Sequence, residues 1–271
     1  VRILVLGSEG QIGKPTCEHL KKMGHEVIEI DIKINKYHDL RERNIIIEGA
    51  VKACSFVFYF ASDVGGAKYL EANEHSYEFI KNNMQIMTTT FSLLEKYNKP
   101  FIFTSSQMAE LSHSTYGMLK LLGEKMTNDL GGLVVRLWNV YGIEHDDEKS
   151  HVITDFCSMA KHNGYIKMRT DGSESRQLLY VDDCVEALEI LATRYYKLER
   201  DKNYHITSFE WTTIFEVASI IQNISSCGVE IGDRKDLTQM NAMNPPDPYI
   251  LNYWKPKTSL VEGITKIYEA T

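Results

Sequence analysis

A doubly wound parallel α/β sheet with a smaller C-terminal α/β lobe is the fold class that three observations predict. The chain opens with an apolar run that stops at a glycine-rich turn, Gly7-Ser-Glu-Gly10-Gln-Ile-Gly13. Strand-like and helix-like patterns then alternate through the first half, as they do where parallel strands are joined by right-handed crossovers. After about residue 140 the rhythm loosens into shorter strands and separate helices.

Residues 2–6 read as a fully buried strand, because Ile3, Leu4, Val5 and Leu6 run on without a polar break. Gly7, Gly10 and Gly13 carry the chain into a helix expected over 11–23. Side chains at those positions would hold a pyrophosphate away from the backbone N–H groups and from the positive end of the helix dipole. Gly7, Gly10, Gln11, Ile12 and Gly13 are therefore the first candidates for a Rossmann-type cofactor site. Pro15 falls in the first turn, where its missing N–H does no harm. The strand expected over 26–30 ends at Asp31, close to the offset of a carboxylate that grips the adenosine ribose hydroxyls. An acid there repels a 2′-phosphate, which favours NAD over NADP, although nearby Lys33 weakens that preference. The stretch from Asp31 to Asp39 is too short for a crossover helix and a further strand, so a loop with a stub of strand is expected.

Further strands are expected at 56–60, 101–104 and 133–137, with helices at 41–52, 82–97 and 116–130. Beyond them, helices are expected at 152–162, 183–200, 212–224 and 260–269, strands at 166–169, 204–206 and 229–231, and a loop at the proline-rich 244–248. This divides the chain into an NAD-binding domain over 1–140, to which later segments return, and a mainly substrate-binding lobe over 141–271.

Composition narrows the function. A net charge of −7 with no lysine or arginine run argues against a nucleic-acid partner, while a few local arginines would still serve an anionic substrate. No apolar stretch nears the roughly twenty residues of a membrane span, and no signal-peptide pattern precedes the first strand, so no membrane partner and a cytoplasmic location are expected. The five cysteines (17, 54, 157, 184, 227) are scattered, never in a Cys-x-x-Cys pair, and read as reduced thiols. The acidic run Glu144, Asp146, Asp147 and Glu148, flanked by His145 and His151, reads as a solvated loop; no metal site is expected.

Catalytic chemistry enters with Tyr116-Gly-Met-Leu-Lys120. Residues four apart share a helix face, so the phenol and the ammonium project toward one site. A tyrosine with a reference pKa near 10 is a poor base; a neighbouring ammonium and a positive nicotinamide ring both favour the phenolate, each pKa unit being worth about 1.4 kcal/mol. The strand at 101–104 delivers Ser105 and Ser106 to its C-terminal end, where open parallel sheets bind ligands, and Ser106 is the candidate third member.

At this point the chain resembles, over nearly its full length, the extended short-chain dehydrogenase/reductases of the nucleotide-sugar epimerase/dehydratase type. Phe60-Ala61-Ser62 resembles that family's cofactor-lining turn, Asp39-Leu40 its adenine contact, and Asn83 the asparagine that opens the next helix. Arg136-Leu-Trp-Asn139-Val-Tyr-Gly142 is similar to the segment against the nicotinamide and the substrate diphosphate. Arg176 with Tyr180-Val-Asp182-Asp183 resembles the nucleotide-binding segment, and Trp254-Lys-Pro-Lys-Thr-Ser-Leu-Val-Glu-Gly263 the closing helix. The resemblance implies NAD as cofactor, a nucleotide-sugar substrate, and a homodimer formed through the helices at 82–97 and 116–130. It implies that Tyr116 takes the hydroxyl proton, Lys120 holds the cofactor ribose, and Ser106 binds the reacting oxygen. Arg176 and Arg234 would neutralise the diphosphate, with Asn139 as a neutral donor.

Gln107 and Met108 stand where the family's dehydratases carry an acidic pair, which argues against 4,6-dehydration. The Gly65-Gly66 stretch resembles the substrate loop of the branch that includes GDP-mannose 3,5-epimerases, whose ring epimerisation needs a cysteine where Met108 stands. The Ser106-Gln107-Met108 run is similar to that of GDP-manno-heptose 4-dehydrogenases of the same branch. What remains is chemistry at C4, on a GDP-sugar by preference. A 4-keto-sugar reductase on the same residues, and an NAD-sensing regulator without turnover, are the alternatives. Only nine residues separate Ser106 from Tyr116, about half the family's usual link, so a more open wall of the sugar site is expected.

Overall fold

The computed structural model describes residues 1–144, 149–235 and 245–271. Its first half alternates as β1 (Arg2–Leu6), α1 (Gly13–Lys22), β2 (Glu26–Ile30), α2 (Ile45–Ala53), β3 (Phe56–Tyr59), α3 (Ala67–Asn73), α4 (Tyr77–Lys96), β4 (Phe101–Ser106), α5 (Thr115–Asp129) and β5 (Leu133–Leu137). There follow β6 (Asn139–Tyr141), α6 (Val152–Asn163), β7 (Tyr165–Lys167), β8 (Ser175–Arg176), β9 (Leu178–Tyr180) and α7 (Val181–Thr193). The chain ends with β10 (Tyr204–Ile206), β11 (Thr212–Thr213), α8 (Ile214–Ser225), β12 (Gly228–Glu230) and α9 (Leu260–Ala270).

Six strands make one wholly parallel sheet in the order β10-β5-β4-β3-β1-β2. Its strands alternate between two apolar layers, since successive strand residues point to opposite faces. Ile3, Val5 and Phe58 join the layer built with α1 and α7, whereas Leu4, Leu6, Val57 and Tyr59 join the layer built with α2 and α4. Burial on both faces is what makes these strands continuous apolar runs. Three two-stranded pairings complete the described part: β8 with β11 antiparallel, and β7 with β12 and β6 with β9 parallel.

Local chemistry moves several expected boundaries. The link after β2 carries only a short 3-10 turn, Lys36–His38, and no stub of strand, which leaves β2 at the sheet edge. The helix expected from 41 starts at Ile45, because the Asn44 side chain accepts from the Ile46 and Ile47 amides. The helix expected from 82 starts earlier, at Tyr77, where Ser76 accepts from the Phe79 amide. The helix expected over 183–200 stops at Thr193; a 3-10 turn, Tyr195–Lys197, follows, and Arg200 donates to the Tyr195 and Leu198 carbonyls. His145, Asp146, Asp147 and Glu148, and part of the loop expected at 244–248, lie outside the described residues.

Candidate active site

At the C-terminal ends of β1, β3 and β4 opens a cleft of about 970 Å³. The glycine turn forms one wall. Gly7 has φ +82°, and a Cβ on it would stand 2.8 Å from the Ala61 nitrogen; a Cβ on Gly13 would stand 2.0 Å from the Gly7 carbonyl oxygen. No side chain other than hydrogen fits either position. The α1 start has no side-chain cap and no acidic residue in its first turn, so its positive end faces the cleft uncompensated by the helix itself. Asp31 stands where β2 ends, and its two carboxylate oxygens accept from the Glu9 amide at 3.0 Å and the Lys33 amide at 2.8 Å. A glycine cradle, an open helix start and a carboxylate at this offset fit a dinucleotide.

Across the cleft, α5 carries Tyr116 in its first turn and Lys120 one turn on. Ser106, the last residue of β4, lines the same cleft, and its hydroxyl acts on the Tyr116 phenol to lower its pKa. Lys120 is buried, donates to the Thr104 carbonyl at 2.9 Å, and lies 5.7 Å from the centre of the Tyr116 ring. The close approach of α5 to the strand end depends on Gly117, where a Cβ would stand 2.0 Å from the Met108 carbonyl oxygen.

Most of the expected site residues line this one cleft: Gly7, Gly10, Gln11, Ile12, Gly13, Asp31, Asp39, Leu40, Phe60, Ala61, Ser62, Gly65, Ser106, Tyr116, Lys120 and Asn139. Others do not reach its wall. Asn83 lies behind it, clamping the turn through the Asp63 amide at 2.9 Å and the Asp63 carbonyl at 3.0 Å. Gly66 packs on the Ser150 carbonyl, and Gln107 is buried in the 3-10 turn Gln107–Glu110. Arg176, on β8, donates to the Ser175 carbonyl, and exposed Arg234 is paired by its backbone with Thr170; neither lines the cleft.

The NAD dependent epimerase/dehydratase family matches residues 3–207. The chain belongs to that family. It is accordingly an NAD-dependent enzyme of the extended short-chain dehydrogenase/reductase type, in a family that acts on nucleotide sugars. GDP-mannose 3,5-epimerase 1 of Oryza sativa subsp. indica is 25% identical over 316 aligned positions, which cover 99% of this chain and 81% of that protein. A GDP-6-OMe-4-keto-L-xylo-heptose reductase from C. jejuni superposes with a TM-score of 0.80 at 18% identity, over 99% of this chain and 97% of that one. UDP-glucose 4-epimerase from Thermus thermophilus, solved with NAD, superposes with a TM-score of 0.79 at 19% identity, over 99% and 98%. The two structural likenesses carry the fold.

Electrostatics within the epimerase/dehydratase cleft depart from one expectation. Tyr116 is half-buried as a residue, but burial of its hydroxyl pushes the pKa up to about 12, with the Ser106 hydroxyl pulling the other way. Burial draws Lys120 down to about 8, opposed by the Glu124 carboxylate one turn along α5. Burial of the hydroxyl therefore works against the phenolate and outweighs the Ser106 hydroxyl. Glu124 also accepts from Ser105 at 2.6 Å and from Arg136 at 2.7 and 2.8 Å, so Arg136 is turned toward α5.

Several cleft residues carried no signal in the sequence. Asp63 accepts from Tyr69 at 2.6 Å, Asn82 at 3.1 Å and Lys149 at 3.2 Å; burial pushes its pKa up, but these donors outweigh it and hold it below the usual range. Glu144, expected in a solvated loop, instead turns into the cleft wall and accepts from His151 and Thr154, which outweigh burial in the same way. Arg41 covers the Asp39 carboxylate with a contact at 2.6 Å, at the adenosine end expected from Asp31. Lys149 comes to Asp63 from 86 residues away, whereas Tyr69, Arg41 and His151 reach their partners from nearby positions, and Asp63 stood beside the Gly65-Gly66 stretch.

Proposed function

We propose that this enzyme oxidises C4 of a nucleotide-linked sugar, or oxidises it and returns the hydride on the other face, with a GDP-manno-hexose or GDP-manno-heptose as substrate for surface polysaccharide. The observation that carries the reading is Ser106 at the strand end, Tyr116 and Lys120 on α5 and the glycine cradle lining one and the same cleft. When bound, oxidised nicotinamide supplies the hydride acceptor and a positive charge beside the phenol. Tyr116 takes the C4 hydroxyl proton as the C4 hydride departs, Ser106 hydrogen-bonds the reacting oxygen, and Lys120 holds the cofactor ribose. Gln107 and Met108, both buried, offer no acid/base pair for 4,6-dehydration.

The preference for a GDP-sugar rests on similarity to a protein named a GDP-mannose 3,5-epimerase and on the Gly65-Gly66 stretch. Residues 141–271 serve mainly as the substrate lobe, with Asn139, Gly66, Gln107, Arg176 and Arg234 as substrate-binding candidates and Asn83 as a cofactor-side support. The homodimer forms through α4 and α5, where Met84, Met118, Leu121 and Leu122 remain exposed. A cytoplasmic location fits the buried free cysteines 17, 54, 157, 184 and 227.

A 4-keto-sugar reductase run on the same residues is the second reading, favoured by the likeness to a protein named a 4-keto-heptose reductase. Mass spectrometry of the nucleotides released on denaturing the purified protein separates the two. Tightly held NAD or NADH with GDP or a GDP-sugar supports oxidation at C4; an empty site, or NADPH, supports the reductase. Intact Tyr116 and Lys120 argue against an NAD-sensing regulator.

A further inference from the structure

The carboxylate of Glu74, which follows α3, is buried and belongs to none of the roles above. Its Oε2 accepts two donors from the start of α5: the Ser114 hydroxyl at 2.8 Å and the Tyr116 amide at 3.1 Å. Ser114 is itself the N-cap of α5, fully buried, and accepts from the Gly117 amide at 3.0 Å. The next residue, His75, meets the Thr115 hydroxyl through Nδ1 at 2.7 Å.

We propose that Glu74 is the positioning residue for Tyr116, its buried carboxylate fixing the first turn of α5 so that the phenol meets Ser106. The inference rests on the reading of Tyr116 as the acid/base. A carboxylate at a helix N-terminus satisfies donors that the helix leaves open, and its charge opposes the positive end of the dipole. Glu74 lies between α3, which the Gly65-Gly66 stretch leads into, and the helix that carries the phenol, so it ties the substrate loop to the reacting group.

The test uses the full chain with NAD⁺ added and tyrosines labelled with ¹³C at Cζ, the Tyr116 resonance being assigned by its loss in Tyr116→Phe. Glu74→Gln keeps an oxygen for both donors and removes only the charge; Glu74→Ala removes both. In Glu74→Ala, turnover with a GDP-sugar is expected to fall about tenfold or more and the Tyr116 resonance to shift, with NAD affinity by calorimetry held within about twofold, and Glu74→Gln is expected to restore most of both. Should Glu74→Ala not fold, Glu74→Asp, whose shorter side chain keeps the charge and withdraws the oxygen from both donors, takes its place. Turnover and a Tyr116 resonance unmoved in the anchor-removing variant, or moved as far in Glu74→Gln, overturn the proposal, as does an effect accompanied by an NAD affinity loss beyond about tenfold. Failure of the parent reading is seen separately, as oxidation of a GDP-sugar by Tyr116→Phe at the wild-type rate.

Discussion

Lys120 Nζ donates to the Thr104 carbonyl across 2.9 Å, which pins the ammonium to the strand whose end carries Ser106. Burial brings this ammonium down to about 8, so its charge is lost as pH rises through that value. With the charged form holding the cofactor ribose, NAD affinity is expected to weaken by about tenfold or more between pH 7 and 9, the worth of one charge-assisted hydrogen bond. Calorimetric titration with NAD across that range checks it. Lys120→Met is expected to bind weakly and with no such pH dependence.

Tyr116→Phe removes the proton acceptor and keeps the ring that faces Lys120. Turnover is expected to fall by about 100-fold to 10,000-fold, the usual weight of a positioned acid/base. NAD binding should stay within about twofold of wild type. Absorbance at 340 nm and calorimetry on the same preparation read the two effects apart.

Gly13→Ala puts a methyl group where only 2.0 Å separates it from the Gly7 carbonyl oxygen. The turn must open, so NAD binding should be lost and stability should drop by about 1–3 kcal/mol, as in other overpacked sites. Urea unfolding and NAD titration measure both.

These glycines also mark how far the sequence was legible. Continuous apolar strands and glycines at fixed spacing are local signals, and the sheet, the cradle, Asp31 and the Tyr116–Lys120 pair all follow from them. Helix starts shifted wherever a polar cap, Asn44 or Ser76, chose the boundary. The α3 helix was not foreseen, and neither were the partners of Asp63, Glu124 and Glu74, because each contact joins segments distant in the chain. The phenol's pKa is raised because desolvation, invisible in a spacing pattern, outweighs the Ser106 hydroxyl beside it. Arg176 and Arg234 came from resemblance alone, and neither lines the cleft.

His205 supplies an acid-stability prediction. It is buried, accepts from Trp138 Nε1 at 3.3 Å and from the Asp247 amide at 3.2 Å through Nδ1, and burial pulls its pKa down to about 4. The folded state keeps it neutral while the unfolded state takes up a proton below about 6.5. Its contribution is therefore whole above about 6.5 and is lost as pH falls toward 4, about 3 kcal/mol in all. Denaturant unfolding at pH 7 and pH 4.5 should show His205→Gln losing less stability between the two than wild type.

The central claim is hydride removal from C4. Incubation of the enzyme and NAD⁺ with GDP-mannose or a GDP-manno-heptose carrying deuterium at C4, followed by mass spectrometry of the recovered cofactor and sugar, tests it directly. The account predicts that the label leaves C4 and is recovered in NADH, or returns to C4 from tightly held cofactor, and that Tyr116→Phe abolishes the transfer. Label that stays on C4 with the C4 configuration unchanged, with no deuterium in the cofactor and no transient absorbance at 340 nm in a single turnover, would contradict it.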